Sequence, residues 1–333
     1  MLALMACPET PNIPDPVDPV SRERAWKAWF LALLKVGLTC LILWLALRRV
    51  SLLGLREALL QVRLPLALLS VLLFPLAIVP VEAVRYAFAA RLVRESQPTL
   101  WTWIQVYGES RPFFYLLPAA VGAEGMVWLR LRQVHWRHAS CAFVVLINRL
   151  AGVGVWALVA ALALREPDGV ARILAQAPAG VRSPLPWALL GAAVLGAIAA
   201  APRFFERFRG LPVAPRKALP LLTVLLLALH SALVTGWSIQ AASRAAGTPL
   251  PLVAALGFLA LFNFAMVLPI SLGGFGVQEA LILALGLPLG YPAPALLAFS
   301  AVVHLQRLGL ALGGLVLFLM GRRATQGPLA GPS

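Results

Sequence analysis

Four charged residues stand inside or beside long apolar runs: Glu124, Arg149, Glu279 and Arg307. Arg149 follows Asn148 about two turns into one such run, and Arg307 lies near the middle of another, one turn after His304. If these runs cross a bilayer, each charge costs about 2.5–3.5 kcal/mol on insertion scales. Four unpaired ones would cost roughly 10 kcal/mol, comparable with the net stability of a whole fold. They must pair or face water. One outcome is a structural salt-bridge network. The other is a hydrophilic cavity whose arginines hold a phosphate and whose glutamates hold a cationic group or shape the path. Arg85, with Glu82 at i−3, reads as an interfacial surface pair rather than a ligand.

Two of these glutamates follow interrupted segments. The first reads Leu117-Pro118-Ala119-Ala120-Val121-Gly122-Ala123-Glu124, in a semi-apolar stretch from Trp101 to Gly125 that also holds Gln105, Glu109, Arg111 and Pro112. The second reads Leu268-Pro269-Ile270-Ser271-Leu272-Gly273-Gly274-Phe275-Gly276-Val277-Gln278-Glu279. Both share Leu-Pro-x-x-x-Gly with a glutamate shortly after, about half a chain apart. Matched interrupted segments in two halves point to a transporter site built from repeats, although Leu, Pro and Gly are common enough here for coincidence. Proline removes a backbone donor and glycine permits positive φ. The run from Gly273 to Gly276 is therefore expected to turn tightly and to aim backbone N–H groups, and the N-terminus of a helix starting near Val277, at a lipid phosphate.

Other chemistry is thin. His135 and His138 have no nearby cysteine or carboxylate to complete a metal shell. No nucleophile–base arrangement, P-loop or dinucleotide fingerprint is present, so neither a metal, a cofactor nor a soluble enzyme's machinery is expected. Cys40 and Cys141 read as small apolar residues, and too few residues precede Cys7 for a cleavable signal. His230 reads as an interhelical hydrogen-bonding residue, and the pairs Trp101/Trp103 and Trp128/Trp136 as interfacial belts.

The elements that carry these residues follow from composition. Only 12% of residues are charged, against 61% hydrophobic, and mean hydropathy is +0.86. A soluble domain carries roughly 25% charged residues, so a water-facing surface is out of reach. The net charge of +15 gathers in short segments between apolar blocks, the pattern of loops facing anionic lipid rather than of a nucleic-acid binder. The reading is an all-α integral membrane protein with seven or eight transmembrane helices plus two broken or re-entrant segments. Expected spans are Trp29–Leu47, Leu64–Val81, Ala142–Leu164, Pro186–Ala201, Leu219–Ser238, Leu252–Leu268 and Ala295–Met320. Residues 1–28 form a proline-rich disordered tail with a basic interfacial anchor, 29–320 the transmembrane domain, and 321–333 a short C-terminal tail. The basic loops at Arg130–Arg137 and Arg203–Lys217 belong in the cytoplasm. With the N-terminus also inside, the segment at 101–125 must dip in and return.

In order of features the chain resembles the flippase-like family named for the transmembrane region of lysylphosphatidylglycerol synthase, over about residues 30 to 320. The resemblance rests on Leu117 to Glu124 with Arg130–Arg132, on Ile147-Asn148-Arg149-Leu150-Ala151-Gly152, and on Pro269 to Ala280, which is similar to the family's P-x-S-x-G-G-x-G-V-R-E-A. The chain departs from the pattern at Gln278 (Arg in the family), at Asn148 (Asp) and at Ala123, which separates Gly122 from its glutamate. The resemblance implies flipping of an anionic phospholipid or lipid-linked headgroup across the plasma membrane, without the family's aminoacyltransferase domain and without nucleic acid. A membrane scaffold or lipid-binding subunit, and an intramembrane lipid-modifying enzyme with Glu124 or Glu279 as general base, are the alternatives.

Overall fold

A computed structural model describes residues 19–48, 50–93, 95–116, 119–165, 218–266 and 273–325. The expected span Pro186–Ala201, the basic loop at 203–217, most of the proline-rich tail, and Pro118, Pro269 and Ser271 lie outside the described residues. The described residues are helical, with no strand among them. In chain order the helices are α1 (Pro19–Leu47), α2 (Leu52–Leu60), α3 (Leu64–Ala90), α4 (Leu100–Ser110), α5 (Phe113–Leu116), α6 (Ala119–Gln133), α7 (His138–Arg165), α8 (Ala218–Ala245), α9 (Leu252–Ala265), α10 (Val277–Gly286) and α11 (Ala293–Thr325).

Four of them contain stretches long and apolar enough to cross a membrane: Leu64–Ala90, His138–Leu162, Leu219–Ala245 and Ala293–Met320. Val36–Leu47 and Leu52–Leu60 together make a fifth candidate, bent by 83°. The bend has local causes. Ser51 caps α2, its hydroxyl accepting from the Gly54 N–H at 3.0 Å, and such a cap starts a new helix rather than continuing an old one. The expected span from Leu252 is a 14-residue helix, about 21 Å at 1.5 Å per residue and short of a hydrocarbon core of roughly 30 Å.

Along the long helices the outward side chains are leucines: Leu68, Leu72 and Leu76 on α3, Leu219, Leu222 and Leu226 on α8, and Leu305, Leu308 and Leu312 on α11 are all exposed. An apolar surface of that extent fits hydrocarbon rather than water. Inside, α3 and α8 pack along each other. The Arg63 N–H donates to the Ala245 carbonyl at 2.8 Å, and Ser231 meets Glu82 further along, so the two run antiparallel.

Each of these helices is followed by a helical hairpin and then by a further long helix. The first hairpin is α4 to α6, leading into α7. The second is α9 to α10, leading into α11. Both are closed at their open ends in the same way. The Trp136 indole N–H donates to the Ser96 carbonyl at 3.0 Å, and the Tyr291 hydroxyl donates to the Pro249 carbonyl at 2.6 Å. An aromatic residue on the returning chain thus ties it to the backbone of the departing chain, so each hairpin leaves and returns at one level. Each also has its own core. Tyr86, Trp103, Trp136 and Val144 are buried around the first, and Phe258, Leu259, Ile282 and Phe299 around the second.

The first core corrects two expectations. Trp103 and Trp136 are fully buried and meet edge to face, centroids 6.0 Å apart, rather than standing at an interface. Their partners Tyr86 and Ser96 come from other helices and loops, which spacing along one helix does not reveal. Trp101, two residues away on the opposite face, is exposed. His230 likewise faces outward. Close backbone approach docks the first hairpin on α11: a Cβ at Gly314 would overlap the Gly108 carbonyl oxygen, so this crossing requires the smallest residue.

Candidate functional site

Between the first hairpin and α3, α7, α8, α9 and α11 lies a cavity of about 280 Å³. Six charged side chains line it: Glu82, Arg85, Arg111, Glu124, Arg149 and Arg307. Apolar residues complete the wall, among them Phe74, Ile78, Phe114, Trp156, Leu259 and Phe262.

The charges are organised in pairs across elements. Glu124, on α6, meets Arg149, on α7, at 3.2 Å. Glu82 and Arg85, one turn apart on α3, meet at 2.7 Å. Ser231 on α8 donates to the other oxygen of Glu82 at 2.5 Å. Arg85 reaches across to the Asn148 side-chain oxygen at 3.0 Å, and Asn148 in turn donates to the Val144 carbonyl of its own helix at 3.0 Å. Arg111 lies flat over the Tyr107 ring, 4.1 Å from its centroid, and donates to the Ser110 hydroxyl at 2.7 Å. A guanidinium stacked in this way keeps its edge N–H groups directed outward. Arg307 is held similarly over Phe262 at 4.0 Å, with one N–H donated to the Gln278 side-chain oxygen at 2.6 Å. Among the lining residues four cations thus stand with two carboxylates.

The second glutamate does not line this cavity. Glu279 sits at the third position of α10. One oxygen accepts from the Gly276 N–H at 2.7 Å; the other takes Ser300 at 2.9 Å and His304 at 2.7 Å. The carboxylate thus occupies the positive end of its own helix, and the backbone N–H expected to meet a lipid phosphate is donated to it. The turn before it has the expected shape. Gly274 and Gly276 take φ of +86° and +81°. A Cβ at Gly274 would come within 2.9 Å of the Phe262 ring, and one at Gly276 within 3.1 Å of Ile42 on α1. Glycine is required both by conformation and by room.

Of the residues expected from sequence, Arg111, Glu124, Asn148, Arg149 and Arg307 meet in one cavity. Gln278, Glu279, Gly273, Gly274 and Gly276 form a second cluster, joined to the first through the Arg307–Gln278 bond. Gly122 is buried on α6. Sequence reasoning placed Glu82 and Arg85 at a surface. Glu82 is buried and Arg85 partly so, with side chains 8% and 13% exposed, because α3 runs on to Ala90 rather than ending near Val81. The missed signal was the apolar run Ala83-Val84, Tyr86-Ala87-Phe88-Ala89-Ala90 around Arg85. Tyr86, Tyr107, Ser231 and Asn263 were also missed, being ordinary residues until the fold gathers them.

The chain matches no protein-family model and no curated protein.

Proposed function

We propose that this chain is a multi-pass membrane protein that carries an anionic lipid headgroup, or a lipid-linked headgroup, across the plasma membrane while the acyl or isoprenoid tails stay in hydrocarbon. The cavity carries this reading: four arginines, two carboxylates and an apolar wall enclosed by helices whose outer faces are leucine. Buried cations in excess over carboxylates favour a phosphate-bearing group, and an arginine fork suits its oxygens. Its membership of the flippase-like family, with seven or eight spans and a cytoplasmic N-terminus, belongs to the same proposal. So does an internal repeat in which α3 with α4–α7 corresponds to α8 with α9–α11. The antiparallel course of α3 and α8, the shared hairpin closure, and a glutamate in each hairpin that meets a basic residue of the next long helix support an inverted pair of halves. Such pairs commonly build transport sites at their interface. No ATPase motif is present, and transport is passive or ion-coupled.

The test is a flipping assay in liposomes holding fluorescent phospholipids of several headgroups, with an impermeant quencher outside. Turnover of an anionic lipid that Arg111→Ala with Arg149→Ala abolishes, in protein still folded, supports the reading. No turnover with any headgroup shifts weight to a lipid-binding subunit.

A further inference from the structure

The proposed path leaves the Glu279–His304 pair without a task. The pair is nonetheless the counterpart of Glu124–Arg149: the same number of positions separates glutamate from cation in each, and in each the glutamate is on the hairpin and the cation on the following long helix. The cations differ in kind. An arginine side chain is a fixed cation. His304 is an imidazole, the side chain whose charge changes nearest neutrality. Its Nε2 faces Glu279 and its Nδ1 is buried without a hydrogen-bond partner. Phe275, partly exposed, stacks on the ring at 4.2 Å and forms its cover.

From this pair a polar chain leads to the cavity. Ser300 donates to Glu279 at 2.9 Å and accepts from the Gln278 amide at 2.8 Å. The Gln278 oxygen accepts from Arg307 at 2.6 Å, and Arg307 is on the cavity wall. Few other charges surround the pair. α9 has no ionisable residue, and Glu279 is the sole one on α10. From α1 the Gly276 turn meets Ile42 and the Thr39 carbonyl. On α3 and α4, Glu82, Arg85 and Glu109 are engaged with Ser231, Asn148 and Arg130. Arg56 and Glu57 on α2 and Arg244 on α8 are exposed.

We propose that Glu279 and His304 form a proton-binding site, and that the chain takes up one proton together with the anion bound in the cavity. The proposal rests on reading the cavity as an anion path. The proton is gained from water and returned to water at Nδ1 when the partly exposed Phe275 ring swings off it, while the Nε2–H stays on Glu279. With the proton bound, the pair is neutral and Arg307 remains with Gln278 at the cavity wall. Once the proton leaves, Glu279 holds an uncompensated buried charge. Arg307, one turn beyond His304 on α11 and already bonded to the residue beside Glu279, turns toward it. The anion then loses a counter-charge and is released. Linkage makes the effect reciprocal, so the anion must also strengthen proton binding.

The remaining histidines, His135, His138 and His230, are all exposed. Replacing them with glutamine leaves His304 as the single histidine. This protein, labelled with ¹⁵N-histidine, goes into nanodiscs of phosphatidylcholine and phosphatidylglycerol. The His304 shifts are followed against pH with and without inorganic phosphate. A one-proton titration whose midpoint rises with phosphate is the expected result. No titration, or a midpoint that phosphate leaves unmoved, overturns the proposal. In liposomes, lipid turnover that depends on pH in the parent protein is expected to lose that dependence in His304→Arg, which copies the first pair; dependence that persists counts against the site. The titration needs no transport. A silent His304 therefore sinks proton coupling alone, whereas a coupled titration without lipid turnover sinks the lipid reading and keeps the site.

Discussion

The two helical hairpins share a plan and differ in what surrounds their glutamates. In the first, Glu124 and Arg149 face the cavity with side chains 25% and 38% exposed; in the second, Glu279 and His304 are 7% and 14% exposed. The first pair is wet enough to exchange its partners for those of a substrate. The second lies away from the cavity, with both oxygens of its carboxylate engaged and the His304 Nδ1 left without a partner. One topology thus yields a site that stays open to a ligand and a site that holds its own. The difference comes from packing. α10 is held between α1, α9 and α11, whereas α6 leaves one flank to the cavity.

That contrast breaks most directly by deleting each glutamate. Glu279→Ala removes the partner of a buried histidine, a serine bond and the cap of α10 together. Breaking such a buried pair costs about 3–5 kcal/mol. Glu124→Ala removes a partly exposed pair and costs about 1 kcal/mol or less. Denaturant unfolding in matched micelles measures both. Equal losses would mean that the first pair is as structural as the second, and that the cavity is not an open site.

The glycines sharpen the same contrast at smaller scale. Gly274→Ala places a methyl on a residue with φ of +86° and against the Phe262 ring, a cost of about 1–3 kcal/mol. Gly125, on α6 of the first hairpin, has nothing within 4 Å of an added Cβ. Gly125→Ala should stabilise by about 0.5–1 kcal/mol, because an interior helical glycine is replaced. A destabilised Gly125→Ala would show the first hairpin to be as tightly packed as the second.

How much of this was legible in sequence depended on range. The apolar runs at 64–81, 142–164, 219–238 and 295–320 are local hydrophobicity, and helices stand there. The break near Gly273 was legible because positive φ selects glycine at the residue itself. The grouping of Arg111, Glu124, Asn148 and Arg149 was legible in part, since charges in apolar runs must find partners. Glu82 with Arg85 was legible as a pair because they stand one turn apart; Glu124 with Arg149, on different helices, and Glu82 with Ser231, across 149 positions, were not, because no spacing rule reaches that far. The burial of Trp103 and Trp136 was misread for a similar reason. An indole near a charged loop has the same local signature whether it meets lipid headgroups or another helix.

The smallest expected effect concerns the closures that make the two hairpins comparable. Trp136 and Tyr291 each donate one hydrogen bond to the departing backbone, but Trp136 is fully buried, whereas the Tyr291 bond is exposed. Tyr291→Phe deletes the hydroxyl and nothing else. One neutral hydrogen bond contributes about 0.5–1.5 kcal/mol, and at an exposed site water replaces the lost donor, so the loss should lie at the low end. The change should therefore hardly move global unfolding. It should still raise hydrogen exchange at the Leu250 amide, which donates to the Ser243 hydroxyl beside the released Pro249 carbonyl, while the ends of α4 and α6 keep their protection. If exchange rises equally in both hairpins, the closures are coupled through α3 and α8, and the two halves open as one unit.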